Sequence, residues 1–146
     1  MSSESCEVVC SDVDRFLERR AASYPSQFDI VVCDPPKLAD SNASVKAAAK
    51  KYIKLNSEVM LRVRPGGLLL TFSCSAAIVN QRVVETRSGS QSLPHSQYFT
   101  SLVQEAARVA NKNAVVIREL NGGDDHPIHI ANPQSKYLAG LLLRIS

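Results

Sequence analysis

The sequence predicts an α/β fold built on a largely parallel sheet. Short apolar runs alternate with segments whose apolar residues recur every three or four positions. The run Phe28-Asp29-Ile30-Val31-Val32-Cys33 reads as a strand buried on both faces, the habit of a parallel sheet. That strand stops at Asp34-Pro35-Pro36-Lys37. The two prolines fix their own backbone angles and give no amide hydrogen to a ladder. Pro35 also keeps Asp34 out of helical geometry. A carboxylate is thus held stiffly at the carboxyl end of a strand, where open α/β sheets place their ligands.

The elements follow in order. Glu7 to Cys10 reads as a strand, and Ser11 or Asp12 caps a helix from Val13 to about Ala22. Asp14 suits that helix's first turn, and Phe16 and Leu17 supply its apolar side. With Phe28–Cys33 this makes a β-α-β unit, which implies parallel strands and a right-handed crossover. A second helix is expected from Val45 to Val63, on the spacing of Val45, Ala48, Tyr52, Leu55 and Val59. Lys46, Lys50 and Lys54 form a row beside that stripe and read as a solvated face. Pro65-Gly66-Gly67 is expected to end the helix, before a buried strand from Leu68 to Phe72. Asn80 to His95 is polar and reads as a mobile loop. Ser96 caps a helix through Val109, Ala114 to Ile117 is a strand, and Tyr137 to Ile145 is the last strand.

Composition bounds the function. A chain of 146 residues with 45% hydrophobic content suits one domain, residues 1–146, with a core. The net charge of +3 permits an RNA partner without arguing for one. Four cysteines without a CxxC pair argue against a disulfide framework and for a reducing compartment, hence a cytoplasmic protein, or an organellar one in a eukaryote. No apolar stretch of about twenty residues exists, so no membrane partner is expected. No metal site is expected either.

Two strands end in groups that carry chemistry, Asp34 and Cys74. Taken alone, a cysteine at a strand end reads as structural. Beside an acid at the same sheet edge it has a use. A thiolate attacks an electron-poor ring carbon, and a carboxylic acid holds or protonates the ring nitrogen that takes up the charge.

The order Phe-Asp-Ile-Val-Val-x-Asp-Pro-Pro-Lys (28–37), Lys-Tyr-x-x-Leu-Asn (51–56), Pro-Gly-Gly (65–67), Phe-Ser-Cys-Ser (72–75), Asp-His-Pro (125–127) and Tyr-Leu-x-Gly (137–140) resembles the class I S-adenosylmethionine-dependent methyltransferases. The resemblance is greatest to the RNA cytosine-5 branch that modifies 23S ribosomal RNA, and it covers nearly the whole chain. It implies a Rossmann-like sheet, S-adenosyl-L-methionine as cofactor and ribosomal RNA as partner. Cys74 matches the nucleophile that adds to carbon 6 of cytosine. Asp34 matches the acid on the ring, with Pro35 and Pro36 shaping that contact and the cofactor side. Asp12 matches an acid beside the cofactor's adenine; as a sequence feature it reads equally well as a helix cap. Lys37 stands where a related sub-branch has a second cysteine. His126 matches a loop near the site, and reads equally as a turn residue. Tyr52 and Asn56 fall on the substrate side by resemblance; read from the residues alone, they pack the core and bond a helix to a loop.

The departure from the family is an absence. The six glycines, at 66, 67, 89, 122, 123 and 140, include none before Asp12. The family's first two strands, its glycine-rich turn, its ribose-binding acid and its N-terminal RNA-binding domain are therefore expected to be missing. Apolar sheet edges would lie uncovered, which favours a homodimer or pairing with a separate N-terminal segment. Three functions stand. The chain is the carboxyl-terminal part of a cytosine-5 RNA methyltransferase, with impaired activity by itself. It is a non-catalytic remnant that binds RNA or a partner chain. Or it methylates another RNA position, such as an exocyclic nitrogen, which needs no thiol.

Overall fold

A computed structural model describes residues 8–20, 28–86, 89–132 and 135–146. In chain order the elements are α1 (Val13–Arg20), β1 (Phe28–Cys33), a 3-10 turn (Asn42–Ser44), α2 (Val45–Met60), β2 (Val63–Ser73), α3 (Ala76–Val79), β3 (Val83–Thr86), β4 (Gly89–Ser92), α4 (Gln97–Val109), β5 (Ala114–Asn121) and β6 (Ala139–Ile145). Four strands form one mixed sheet in the order β1-β2-β6-β5. β1 and β2 are parallel, and β6 runs antiparallel to both of its neighbours. The α/β class holds, as a mixed sheet.

α2 and α4 cover one face. Tyr52, Met60 and Phe99 on these helices and Leu69, Leu143 and Ile145 on the strands are fully or almost fully enclosed. The Tyr52 and Phe99 rings meet edge to face, with centroids 5.6 Å apart and planes at 74°. Such a pair adds about 1 kcal/mol beyond its area burial. No helix among the described residues is long and apolar enough to cross a membrane.

The other face is open, which corrects the expectation that β1 is buried on both sides. Ile30 and Val32 are 59% and 62% exposed. The register sets Ile30 beside Leu68 and Val32 beside Leu70, so the uncovered face is apolar across two strands. β1 is also the sheet's edge. The first expected strand is not formed: residues 8–10 lie outside any strand, and Val8 is 88% exposed. A strand needs a partner to satisfy its amides, and none pairs with β1's outer side among the described residues. The expected crossover is therefore not found among the described residues. Residues 21 and 22, expected at the end of the first helix, lie outside the described residues.

The second helix ends at Met60, not Val63. The Phe28 amide donates to the Arg62 carbonyl at 3.0 Å, which draws the chain into the sheet early. Pro65-Gly66-Gly67 lies inside β2 as a bulge: β2 advances five residues, Val63 to Leu68, while β1 advances two, Phe28 to Ile30. Pro65, which has no amide hydrogen, is tolerated there because a bulge makes no ladder bond. Gly66 adopts φ 83°, a left-handed value that favours glycine.

The expected loop from 80 to 95 contains a hairpin, with β3 paired antiparallel to β4. Its alternation of Val83, Val84 and polar residues is too short to stand out in the sequence. Ser96 precedes α4 in a left-handed conformation, φ 60°, and its hydroxyl donates to the His95 carbonyl at 2.6 Å instead of capping the helix. β5 runs on to Asn121, and β6 begins at Ala139, two residues later than expected.

Candidate active site

The site lies where β1 and β2 end side by side. Cys33 pairs with Thr71, so the chain segments beyond them emerge together. The Cys74 thiol donates to the Pro35 carbonyl at 3.8 Å, which joins the two strand ends directly. Ser75 locks the same turn: its hydroxyl oxygen accepts from the Leu38 amide at 3.0 Å and the Ala39 amide at 3.2 Å. Below it, the Tyr52 hydroxyl bonds the Ser73 hydroxyl at 2.9 Å and the Ser75 hydroxyl at 3.2 Å. The Thr71 hydroxyl donates to Asn56 Oδ1 at 2.7 Å, and Asn56 Nδ2 donates to the Tyr52 carbonyl at 2.9 Å. This buried network ties α2 to β2 and sets the Asp-Pro-Pro turn against Cys74.

Tyr52 and Asn56 are fully enclosed. They support the site from beneath and present nothing to its surface, the arrangement of the core-packing alternative. Burial raises the Tyr52 hydroxyl above its ordinary pKa, with the Ser73 and Ser75 bonds opposing. Burial likewise pushes the Cys33 thiol up to about 11; the Asp34 charge adds to this and a Thr71 bond opposes it. Cys33 therefore stays a thiol. Cys74 is half-buried and open to the surface.

Two hollows flank the turn. One, about 510 Å³, is lined by Asp12, Val32, Asp34, Pro35, Pro36 and Leu55 among others. The second, about 400 Å³, is lined by Lys37, Cys74, Ala76, Asn132, Ser135 and Tyr137. Asp34 and Cys74 thus open onto different hollows; Pro35 lines the first, and its carbonyl meets the thiol that lines the second. Asp12 caps α1: its Oδ1 accepts from the Arg15 amide at 3.1 Å. Capping occupies one carboxylate oxygen, and Asp12 still lines the first hollow. Lys37 pairs with Asp40 at 3.6 Å and faces the second. Lys54 pairs with Asp14 and Glu18 across the first hollow's rim.

His126 lines neither hollow. Its ring meets Tyr137 at 6.1 Å and 64°, and so backs a residue that walls the Cys74 pocket. Its Nδ1 lies 3.0 Å from Asp125 Oδ1, an ionic distance off the line of a hydrogen bond. The His126 ring holds the Asp125 carboxyl below the usual carboxylate range. Ser73, Ser75 and Tyr137 are the residues that sequence reasoning missed. The signal for the serines is present in the sequence: a tyrosine on the apolar stripe of a helix needs a hydroxyl partner when buried.

The fold is that of the α/β methyltransferases, present in part. A solved structure named as a methyltransferase complexed with SAH superposes with a TM-score of 0.61 at 18% identity, over 92% of this chain and 30% of that one. A SAM-dependent methyltransferase structure from Streptococcus mutans superposes equally, at 17% identity over 92% of this chain and 29% of its own. No protein-family model matches the chain. By sequence, the chain is similar to the ribosomal RNA large subunit methyltransferase I of Shewanella amazonensis, 36% identical over 139 residues, covering 94% of this chain and 31% of that protein. The protein of the same name from Aeromonas hydrophila is 33% identical over 99% of this chain and 32% of its own length. The chain therefore spans about a third of the curated relatives it matches.

Proposed function

We propose that this chain is the carboxyl-terminal part of the catalytic domain of an S-adenosylmethionine-dependent methyltransferase that forms 5-methylcytosine in large-subunit ribosomal RNA. The observation that carries this reading is the Cys74–Pro35 contact, which sets a half-exposed thiol against an Asp-Pro-Pro turn. The likeness to ribosomal RNA large subunit methyltransferase I supports the RNA class.

The cofactor, when bound, supplies a methyl group made electrophilic by a sulfonium. The first hollow suits part of it. Val32, Pro35 and Leu55 give an apolar wall for a flat base, and Asp12 gives an acceptor at the rim. Among the described residues the hollow gives one side of such a site. Cytosine would occupy the second hollow, against Tyr137 and Cys74, with its carbon 5 turned toward the Asp-Pro-Pro turn and the cofactor side.

Cys74, as the thiolate, adds to carbon 6 and opens the 5,6 double bond. Negative charge spreads toward the ring nitrogen, which calls for an acid within hydrogen-bond reach; the resemblance assigns that part to Asp34, on the Asp-Pro-Pro turn whose Pro35 carbonyl meets Cys74. Carbon 5 thereby gains the electron density that methylation requires. Loss of the carbon 5 proton to a base then re-forms the double bond and expels the thiolate. Lys37 offers its charge to a phosphate or base oxygen. Tyr52, Asn56 and His126 act by positioning.

A second reading, a non-catalytic remnant that binds RNA or a partner chain, draws on the open apolar face at Ile30 and Val32. That face is where the rest of a longer protein, or a second copy, would pack. The test is transfer of a labelled methyl group from S-adenosylmethionine to a large-subunit rRNA fragment by a full-length protein carrying these residues, with the product nucleoside identified. Label in 5-methylcytidine is expected. Label on an exocyclic nitrogen, or RNA binding without any label, would overturn the cytosine-5 reading.

A further inference from the structure

A third cavity, about 520 Å³, lies beside the Cys74 pocket and takes no part in the chemistry assigned to that thiol. Its walls carry Arg82, His95, His129 and Lys136, and no carboxylate. Among the described residues neither Arg82 nor Lys136 makes an ion pair. Burial, with the charges of Lys136 and Arg82 behind it, holds the His95 imidazole below its ordinary value. A cluster of cations without a counter-charge is relieved by a bound anion.

The neighbouring hydrogen bonds arrange the donors. His95 Nε2 lies 3.4 Å from the Lys136 carbonyl and, as the N–H, ties the foot of the β3–β4 hairpin to the 124–138 loop. His129 Nδ1 accepts from the Ala131 amide at 3.2 Å, so in the neutral ring Nε2 carries the proton and is left to donate. The Ser135 hydroxyl accepts from the His129 amide at 2.8 Å and holds that loop in place. Arg82 adds a planar fork suited to two phosphate oxygens.

Two further features separate a polynucleotide from a free anion. Ile128 and Ile130, 52% and 97% exposed, flank the cations with apolar surface suited to a base or sugar. The cavity also adjoins the cysteine pocket. Asn80 lines this cavity and Ala76 lines that one, and they stand about 6 Å apart along α3. Lys136 lines this cavity, while its neighbours Ser135 and Tyr137 line the other.

We propose that the Arg82–His129–Lys136 cavity binds a backbone phosphate of single-stranded RNA next to the nucleotide whose base enters the Cys74 pocket. This rests on the RNA reading of the Cys74 site and extends it, by giving the strand a fixed point beside the pocket that holds the thiol.

The test is fluorescence anisotropy of a labelled single-stranded RNA against the 146-residue chain over a range of potassium chloride, with the R82A/K136A variant beside it. Removing one phosphate interaction should reduce the slope of log affinity against log salt by about 0.7. The variant is expected to bind at least about tenfold more weakly with such a reduced slope, while Arg82→Lys keeps the slope. An unchanged slope in R82A/K136A, or no RNA binding by the natural chain, overturns the proposal. Inorganic phosphate is titrated in a separate arm, read by the His129 ring resonance. If phosphate shifts that resonance while RNA leaves it unmoved, the cavity serves a free anion and the proposal fails. Cys74→Ser separates the two readings: it should remove chemistry on cytosine and leave the salt slope unchanged.

Discussion

The Cys74 thiol reaches the Pro35 carbonyl across 3.8 Å, so the ends of two parallel strands are joined by their candidate nucleophile. The relationship depends on register. Cys33 stands opposite Thr71, and a slip of one residue would turn Cys74 to the opposite face of the sheet. Everything that fixes that register therefore bears on chemistry, and several contacts contribute to it.

Ser75 is the nearest of these. Ser75→Ala removes the acceptor for the Leu38 and Ala39 amides and one partner of Tyr52. Stability should fall by about 1–3 kcal/mol in urea unfolding. Tyr52→Phe, which deletes one hydroxyl and leaves the ring against Phe99, should cost about 1 kcal/mol.

Gly67 is the second. A Cβ there would stand 2.8 Å from Val63 Cγ1 and 2.9 Å from the Asp29 carbonyl, inside the bulge that aligns β2 with β1. Gly67→Ala should destabilise the chain by about 1–3 kcal/mol, measured the same way. An unchanged midpoint would mean that the bulge relaxes freely and does not set the register.

The thiols should differ in reactivity. Cys33 is buried with its pKa pushed up to about 11, and the half-buried Cys74 lies in an open pocket. Iodoacetamide at about pH 8 should alkylate Cys74 in the folded chain and spare Cys33, read by peptide mass spectrometry. Equal labelling of both would contradict the enclosed packing of Cys33 against Thr71.

Acid should loosen the 80–95 region. The folded His95 imidazole sits below its ordinary value of 6.5, chiefly through burial, so the unfolded chain binds the extra proton more readily. Stability gained by keeping His95 neutral is present above 6.5 and is lost as pH falls below that value. His95→Gln should flatten this part of the stability–pH curve; an unaltered curve would place the dependence on another group.

The sequence is most legible where one rule acts alone. β1 can be read to the residue, because a proline pair can only end a strand. That Asp34 and Cys74 follow the ends of neighbouring strands at one sheet edge is legible from the parallel pair β1 and β2. The burial of β1 is misleading in sequence, since an apolar run records what a strand is suited to touch, not what covers it: Ile30 and Val32 face outward here. Pro65-Gly66-Gly67 is ambiguous because its composition fits a helix stop and a bulge equally. The separation of Asp34 and Cys74 into two hollows is invisible in sequence, as it depends on where the 124–138 loop brings Tyr137 and Ser135.

The most direct test of the central claim is covalent capture. A full-length protein carrying these residues as its carboxyl-terminal part would be incubated with S-adenosylmethionine and RNA carrying 5-fluorocytosine at the target, where fluorine blocks the loss that releases the enzyme. A stable RNA–protein adduct is expected, mapped to Cys74 by mass spectrometry and absent in Cys74→Ser. An adduct that survives Cys74→Ser, or one mapped to Cys10 or Cys33, would contradict the assignment of Cys74 as the nucleophile.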